Sequence, residues 1–408
     1  MRKALYPPVA GAILLALLLP AQAQTGAPVE QGPPSVPDFR PAFAGQTRAP
    51  EARSDLRLKV AEIAGGLENP WGIAILPEGG YLVTERPGRL RVVSEDGTLS
   101  DPVAGLPAVL ARGQGGLLDV TLGPDFATDR MIYWTYAKPM GDGLSATAAA
   151  RGRLSEDLTE VTGAEDIFVQ DPPSPTAMHY GSRILFDATG IAYVTTGEHS
   201  SEAERVFAQD PGKTYGKVIR IRADGSAPPD NPFVGQAGAV ATIWSLGHRN
   251  IQGAAIHPAT GALWTIEHGP QGGDELNMPL AGANYGWPVI SYGVNYDGSP
   301  VGDGLTAAAG MEQPVYYWDP VIAPGGMAFY TGGMFVDWEG DLLIGAMSPG
   351  ALVRLRIDSS GRVASEERLL TDQGRIRDVA VAPDGAVLLL VDADDGSLLR
   401  VTPDGTAN

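Results

Sequence analysis

One pattern constrains this chain more than any other. A strand, a tight turn and a second strand recur six times, with almost no helical patterning between them. The units are residues 75–83 (ILPEGGYLV), 120–134, 184–194, 255–264, 327–344 and 379–388. They begin roughly 45 to 75 residues apart, and P-x-x-G or D-x-x-G turns separate runs of branched and aromatic residues. An isolated hairpin cannot bury both of its faces, whereas blades stacked radially can, leaving only short protected edges. The predicted fold is therefore all-β, a six-bladed β-propeller of four-stranded antiparallel blades. Residues 56–60 (LRLKV) precede the first unit and 397–401 (SLLRV) follow the sixth. Pairing them within one blade would close the ring. Uneven repeat length keeps a pair of β-sandwiches open as the competing architecture, although no linker divides the chain.

A fold of this size must be held by its core alone, because the chain has no cysteine. That excludes disulfides, thiolate metal sites, haem attachment and cysteine nucleophiles. The first 23 residues read as an export signal. Arg2 and Lys3 precede an apolar run at 11–19 (GAILLALLL), and Ala21-Gln22-Ala23 offers a cleavage site. The run is too short to span a bilayer, so the expectation is a periplasmic or secreted protein, not an integral membrane protein. Residues 24–54 are rich in Pro, Gly, Ala and Gln without periodicity and read as a disordered or surface-hugging segment. The propeller is expected over 55–404. A net charge of −19 argues against nucleic acid as a partner.

Only five histidines are present. His257 falls in a repeat's own turn and is expected at the surface. His179 stands in Met178-His179-Tyr180-Gly181-Ser182-Arg183, just ahead of an apolar strand, where propellers present side chains to the central channel. Histidine there is a candidate base at neutral pH. No G-x-S-x-G elbow and no H-E-x-x-H motif occurs, which argues against serine hydrolase and zincin chemistry. Carboxylate pairs for glycoside hydrolysis stay open, since their separation is invisible in a sequence. A denser constellation lies between Trp244 and Tyr296: Gly247-His248-Arg249-Asn250, residues 267–277 (EHGPQGGDELN), and Asn284-Tyr285-Gly286-Trp287-Pro288. Irregular glycine- and proline-rich loops with acids can turn backbone carbonyls toward a hard cation such as calcium; a solvated turn is the alternative. Residues 392–396 (DADDG) imitate the start of an EF-hand loop but lack its closing glutamate and flanking helices, so a hairpin turn is expected.

These segments, together with Asn69-Pro70-Trp71-Gly72, residues 113–120 (GQGGLLDV), 229–233 (PDNPF) and 374–379 (GRIRDV), resemble the soluble PQQ-dependent aldose and glucose dehydrogenases, the glucose/sorbosone dehydrogenase family. The resemblance runs from about Leu67 to Pro403. It implies a six-bladed propeller that oxidises aldose sugars to lactones with pyrroloquinoline quinone (PQQ) and calcium (Ca2+), passing electrons to an external acceptor. It implies His179 as the base for the anomeric hydroxyl and Arg249 beside the reactive quinone carbonyl. Gln114, Asn250 and Tyr296 would line the cofactor site, and Arg375 and Arg377 would hold its carboxylates. The carbonyls of Gly269 and Pro270 would bind the cofactor's calcium, with Glu275 and Tyr285 on a separate structural calcium. Many family members carry a lysine just after the strand matching 343–346; here Ser348 stands at about that position. A calcium-dependent propeller hydrolase such as a lactonase, and a non-catalytic binding propeller, are the rival readings. Arg375-Ile376-Arg377 separates them, because a tricarboxylate cofactor needs such cations and a neutral lactone does not.

Overall fold

The computed structural model describes residues 26–405, so the export signal read at 1–23 lies outside the described residues. Six antiparallel sheets surround a channel, and each is entered through its innermost strand. The inner strands are Pro70–Ile75, Leu117–Leu122, Gly181–Phe186, Ile251–Ile256, Pro324–Phe329 and Ile376–Val381, which we number as blades one to six. Five sheets have four strands. Blade one has three, and a single Val93–Leu99 bridge holds its outer position. Blade six is completed by the chain's first strand, Leu58–Leu67, which pairs Leu58 with Pro403 and Val60 with Val401. The ring closes as the sequence predicts.

The strands read as nearly continuous apolar runs because neighbouring blades cover both of their faces. Leu82, Trp134 and Tyr136 fill the space between blades one and two. Trp264, Trp318, Phe329 and Val353 fill that between blades four and five. Leu67, Val83, Leu388 and Leu390 do the same where the ring closes. Each such side chain contributes roughly 1.5–3 kcal/mol by burial, so every seam carries comparable weight.

At the channel axis the inner strands converge on one buried cation. Arg183 Nη1 lies 3.0 Å from both Asp119 Oδ1 and Asp378 Oδ2, and its Nε donates to the Gln252 carbonyl at 2.7 Å. Asp378 also accepts the Ile73 N–H. Blade five approaches through Gly326, where a Cβ would sit 1.6 Å from Asp378 Oδ1 and 2.8 Å from Arg183 Nη2. All six blades therefore meet at this knot, and only glycine fits on the fifth. The Arg183 guanidinium also lies 4.2 Å from the Trp71 ring, which places that indole between the knot and the channel mouth.

Residues 26–54 run as a strap over the outer strands of blades four and five. Asp319 accepts the Ser35 and Val36 N–H groups at 2.7 and 2.9 Å, Ala49 enters the seam between the two blades, and Glu51 bridges Glu366. Among the described residues, no helix is long and apolar enough to cross a membrane.

Candidate active site

The loops leading into the inner strands surround a cavity of about 460 Å3 at one mouth of the channel. Trp71 and Gln252 border it from the channel side, and Gln114, Asn250 and His268 from its walls. Arg86, Arg375 and Arg377 border it as well, with Asp392 and Asp394 beside them.

His179 is held with unusual backbone geometry. Its φ is +45°, its N–H donates to Gln114 Oε1 at 2.8 Å, and its carbonyl abuts Gly197, where a Cβ would come within 1.9 Å. His179 is about 5 % exposed and does not itself border the cavity, whereas the next two residues, Tyr180 and Gly181, do. Nδ1 lies 2.9 Å from Glu198 Oε1. Burial, and then the Arg249 charge, hold the imidazole below its usual range, against the pull of Glu198. Burial would push the Glu198 carboxyl upward, but the His179 hydrogen bond and charge, Arg249 and the Ser200 amide outweigh it, and the net shift is downward. The pair is thus a neutral imidazole on an ionised carboxylate. Nδ1–H donates to Glu198, and Nε2 keeps its lone pair. Glu198 lies two residues beyond Ala192–Thr196, the second strand of blade three, yet nothing in the local sequence marks it as the partner of His179.

Arg249 packs 5.2 Å from the Trp287 ring and donates from Nη1 to the His268 carbonyl at 2.9 Å, while its buried Nε has no partner. Arg377 donates to Gln252 Oε1 at 3.1 Å and Asp392 Oδ2 at 2.9 Å, and its Nε is likewise buried and unpartnered. Arg86 Nε is a third such atom. Asn250 Oδ1 accepts the Gly181 N–H at 3.1 Å, which leaves the amide nitrogen toward the cavity it borders. Buried donors without acceptors are costly, so this cavity suits an oxygen-rich anionic ligand.

A second, narrow cavity of about 10 Å3, lined by Arg249, adjoins it at His268. Gly269, Pro270, Glu275 and Tyr285 all border this one space, where the sequence suggests two separate cation sites. Among the described residues nothing donates to the Gly269 and Pro270 carbonyls. Glu275 is pushed well upward by burial and then by neighbouring Glu267, and among the described residues the only hydrogen bond to its carboxylate is a long one from Asn277, 3.4 Å. Free carbonyls beside a strained carboxylate suit a hard cation. No cluster of three or more His, Asp or Glu side chains able to hold a metal occurs among the described residues, so carbonyl oxygens would have to carry much of the coordination. Asp274 is spoken for: its oxygens accept the Gly269, Ile322 and Ala323 N–H groups, each at 2.8 Å. Asp274→Ala would strand three buried donors, and thermal unfolding is expected to show a loss of about 2–4 kcal/mol.

Two of the expected residues stand apart from both cavities. Tyr296 borders neither cavity and is 75 % exposed, because the turn closed by Asn295 N–H to Ser299 O, 2.8 Å, leaves its ring outside. Ser348 is exposed, and Met347 forms the cavity wall in its place, touching Arg375 through sulfur at 3.6 Å. Other wall residues escaped the sequence reading. Residues 392–396 do form the hairpin turn expected, but Asp392 also pairs with Arg377 and Arg375 across the cavity edge. Arg86 closes the second strand of blade one ahead of a Pro-Gly turn; that turn is its only local signal.

A ring of buried cations and amides over a plugged propeller channel, with a carboxylate-bound histidine beside its lining residues, defines a propeller enzyme with one deep polar site. The chain belongs to the glucose/sorbosone dehydrogenase family, whose sequence profile matches residues 67–400, and is accordingly a sugar dehydrogenase, an oxidoreductase. It is 44 % identical to the aldose sugar dehydrogenase YliI of Escherichia coli strain K12 over 340 residues, covering 83 % of this chain and 91 % of that one. The crystal structure of the soluble aldose sugar dehydrogenase of Escherichia coli in the apo-form superposes with a TM-score of 0.82 at 43 % identity, over 85 % of this chain and all of that one. The PQQ-bound form of the aldose sugar dehydrogenase of Streptomyces coelicolor gives 0.69 at 28 % identity, over 85 % and 99 %.

Proposed function

We propose that this protein oxidises aldoses to lactones with PQQ bound at the channel mouth and calcium beside it, using His179 as the base. The observation that carries the reading is the convergence of three guanidiniums with buried, unpartnered Nε atoms, from Arg86, Arg249 and Arg377, on adjoining cavities. When bound, PQQ supplies the acceptor for the two electrons and the C1 hydrogen of the sugar. Arg375 and Arg377 hold its carboxylates, helped by Arg86, and Gln114 and Asn250 offer their amide groups to its oxygens. The Gly269 and Pro270 carbonyls would hold calcium, with Glu275 and Tyr285 bordering the same space. Tyr296, exposed outside both cavities, would line the cofactor site only if its loop closed over the ligand.

Oxidation at C1 removes the proton of the anomeric hydroxyl, and Nε2 of His179 accepts it. Glu198 fixes the tautomer and stabilises the imidazolium that forms. Arg249 sets a permanent positive charge where negative charge develops. Supporting this reading are the family membership, the PQQ named for the Streptomyces relative and the neutral imidazole on an ionised partner. We further propose that the protein works in the periplasm or outside the cell after loss of residues 1–23, and that an external acceptor reoxidises the cofactor.

The test is reconstitution. Purified protein with PQQ and calcium is mixed with an aldose, and the cofactor absorbance is followed. Reduction is expected only when PQQ, calcium and sugar are all present. Loaded protein that leaves the cofactor oxidised yet hydrolyses a sugar lactone would turn the reading to a hydrolase.

A further inference from the structure

The strap over blades four and five lies outside the residues matched by the family profile, 67–400. The Escherichia coli structure, matched over its whole length, likewise covers only 85 % of this chain. The strap thus lies outside the part of the chain that the family profile describes, and it does more than cover an edge.

Gln46 is its fully buried anchor. Its Oε1 accepts the Ala42 N–H at 2.7 Å and the Tyr292 hydroxyl at 3.0 Å; its Nε2 donates to the Pro314 carbonyl at 3.0 Å. Tyr292 also lies 2.6 Å from Gln313 Oε1, and its ring stacks on Tyr317 at 3.9 Å. The strap thus grips both ends of the long loop between Tyr292 and Gln313. That loop leans directly on the turn carrying Gly269 and Pro270. Gln271 and Val294 exchange both backbone hydrogen bonds, at 2.9 and 3.0 Å. A Cβ on Gly273 would come within 2.8 Å of the Tyr292 backbone, and one on Gly293 within 2.3 Å of the Gly272 carbonyl. Two backbones pressed this closely move together.

We infer that the strap is a positioning element for the 269–273 turn, acting through Gln46 and Tyr292, and that it thereby sets how well the narrow cavity holds its cation. The second half of this statement rests on the functional reading above. Gln46 touches neither cavity, so it is a positioning residue. Its removal should loosen the turn without altering any group that meets the ligand.

Three full-length variants test this. Gln46→Ala removes the anchor, and Tyr292→Phe removes one hydroxyl while keeping the ring stack. Ser54→Ala loosens the strap at Glu367, away from the loop. Amide hydrogen exchange on metal-free protein is expected to quicken about tenfold at Gln271 and Gly273 in the first two variants, and to stay at the wild-type rate in the third. The calcium concentration that half-saturates PQQ binding, followed by tryptophan fluorescence, should rise about five- to tenfold in the same two. Wild-type exchange at Gln271 and Gly273 in both variants overturns the inference, even if all three melt at lower temperature, since the strap is then only a brace. Faster exchange with an unchanged calcium requirement overturns the link to the cation. If Gln46→Ala does not fold, Tyr292→Phe decides alone. Wild-type protein that binds PQQ without calcium defeats the functional reading, and the exchange measurement still judges the strap.

Discussion

Replacing His179 by alanine is expected to lower kcat by at least about a hundredfold, the usual cost of losing a general base. Binding of PQQ and calcium should stay close to wild type, because the cofactor-facing contact at this position, the His179 N–H on Gln114 Oε1, belongs to the backbone. The pH profile carries a second signature. Burial and Arg249 hold the imidazole below its ordinary 6.5, so the neutral base persists into mildly acid solution. The acid limb of kcat/KM is therefore expected below pH 6.5. Glu198 raises the imidazole's affinity for its proton, so Glu198→Gln should move that limb to still lower pH while slowing turnover less than His179→Ala. Steady-state kinetics across pH 4 to 8 check both statements. Near-normal turnover in a His179→Ala protein that holds PQQ removes this residue from the mechanism.

Stripping the metal should abolish turnover altogether and lower the melting temperature. A ligand bound only by the folded state stabilises it by about 2.7 kcal/mol at a hundred times its dissociation constant, and chelation forfeits that. The lining of the narrow cavity suits a hard cation. Its free donors are the carbonyls of Gly269 and Pro270 and the poorly satisfied carboxylate of Glu275, all hard oxygens. Calcium should restore activity and melting temperature together. Zinc should do so poorly, because no nitrogen or sulfur cluster awaits it among the described residues. Melting curves and rates are measured on chelated protein before and after each ion is added back. Full activity in thoroughly metal-free protein would sink the calcium assignment.

Arg377→Ala probes the other side of the site. It removes a cation that donates to Gln252 and Asp392, and it should weaken PQQ binding roughly 10- to 150-fold, as for loss of one charge-assisted hydrogen bond. A fluorescence titration at fixed calcium reads it, and unchanged affinity would assign the carboxylates to Arg86 and Arg375.

How much of this was legible beforehand depends on the range over which each feature is encoded. The six hairpins could be read because a strand covered on both faces must be apolar along its length and must end in a turn. Those demands fall on adjacent residues. Closure could be read for the same reason: two unpaired strands, 56–60 and 397–401, were left at the ends. His179 stood out because histidines are few and this one leads into an inner strand. Residues 392–396 showed the opposite case. Their turn was plain, yet the pairing of Asp392 with Arg377, 15 positions earlier, was not.

The sequence by itself determined the blade count and the closing pair, and it marked His179, Arg375 and Arg377 as candidates for the site. Only the tertiary structure decided which distant groups meet. It joined Arg183 to Asp378 across 195 positions and Gln46 to Tyr292 across 246. It gathered Gly269, Pro270, Glu275 and Tyr285 around one space and left Tyr296 outside. Periodicity and turn chemistry are short-range constraints that each blade writes into its own residues. A site at the axis of a ring is assembled from the ends of six separate segments, and no single segment records where the other five will stand.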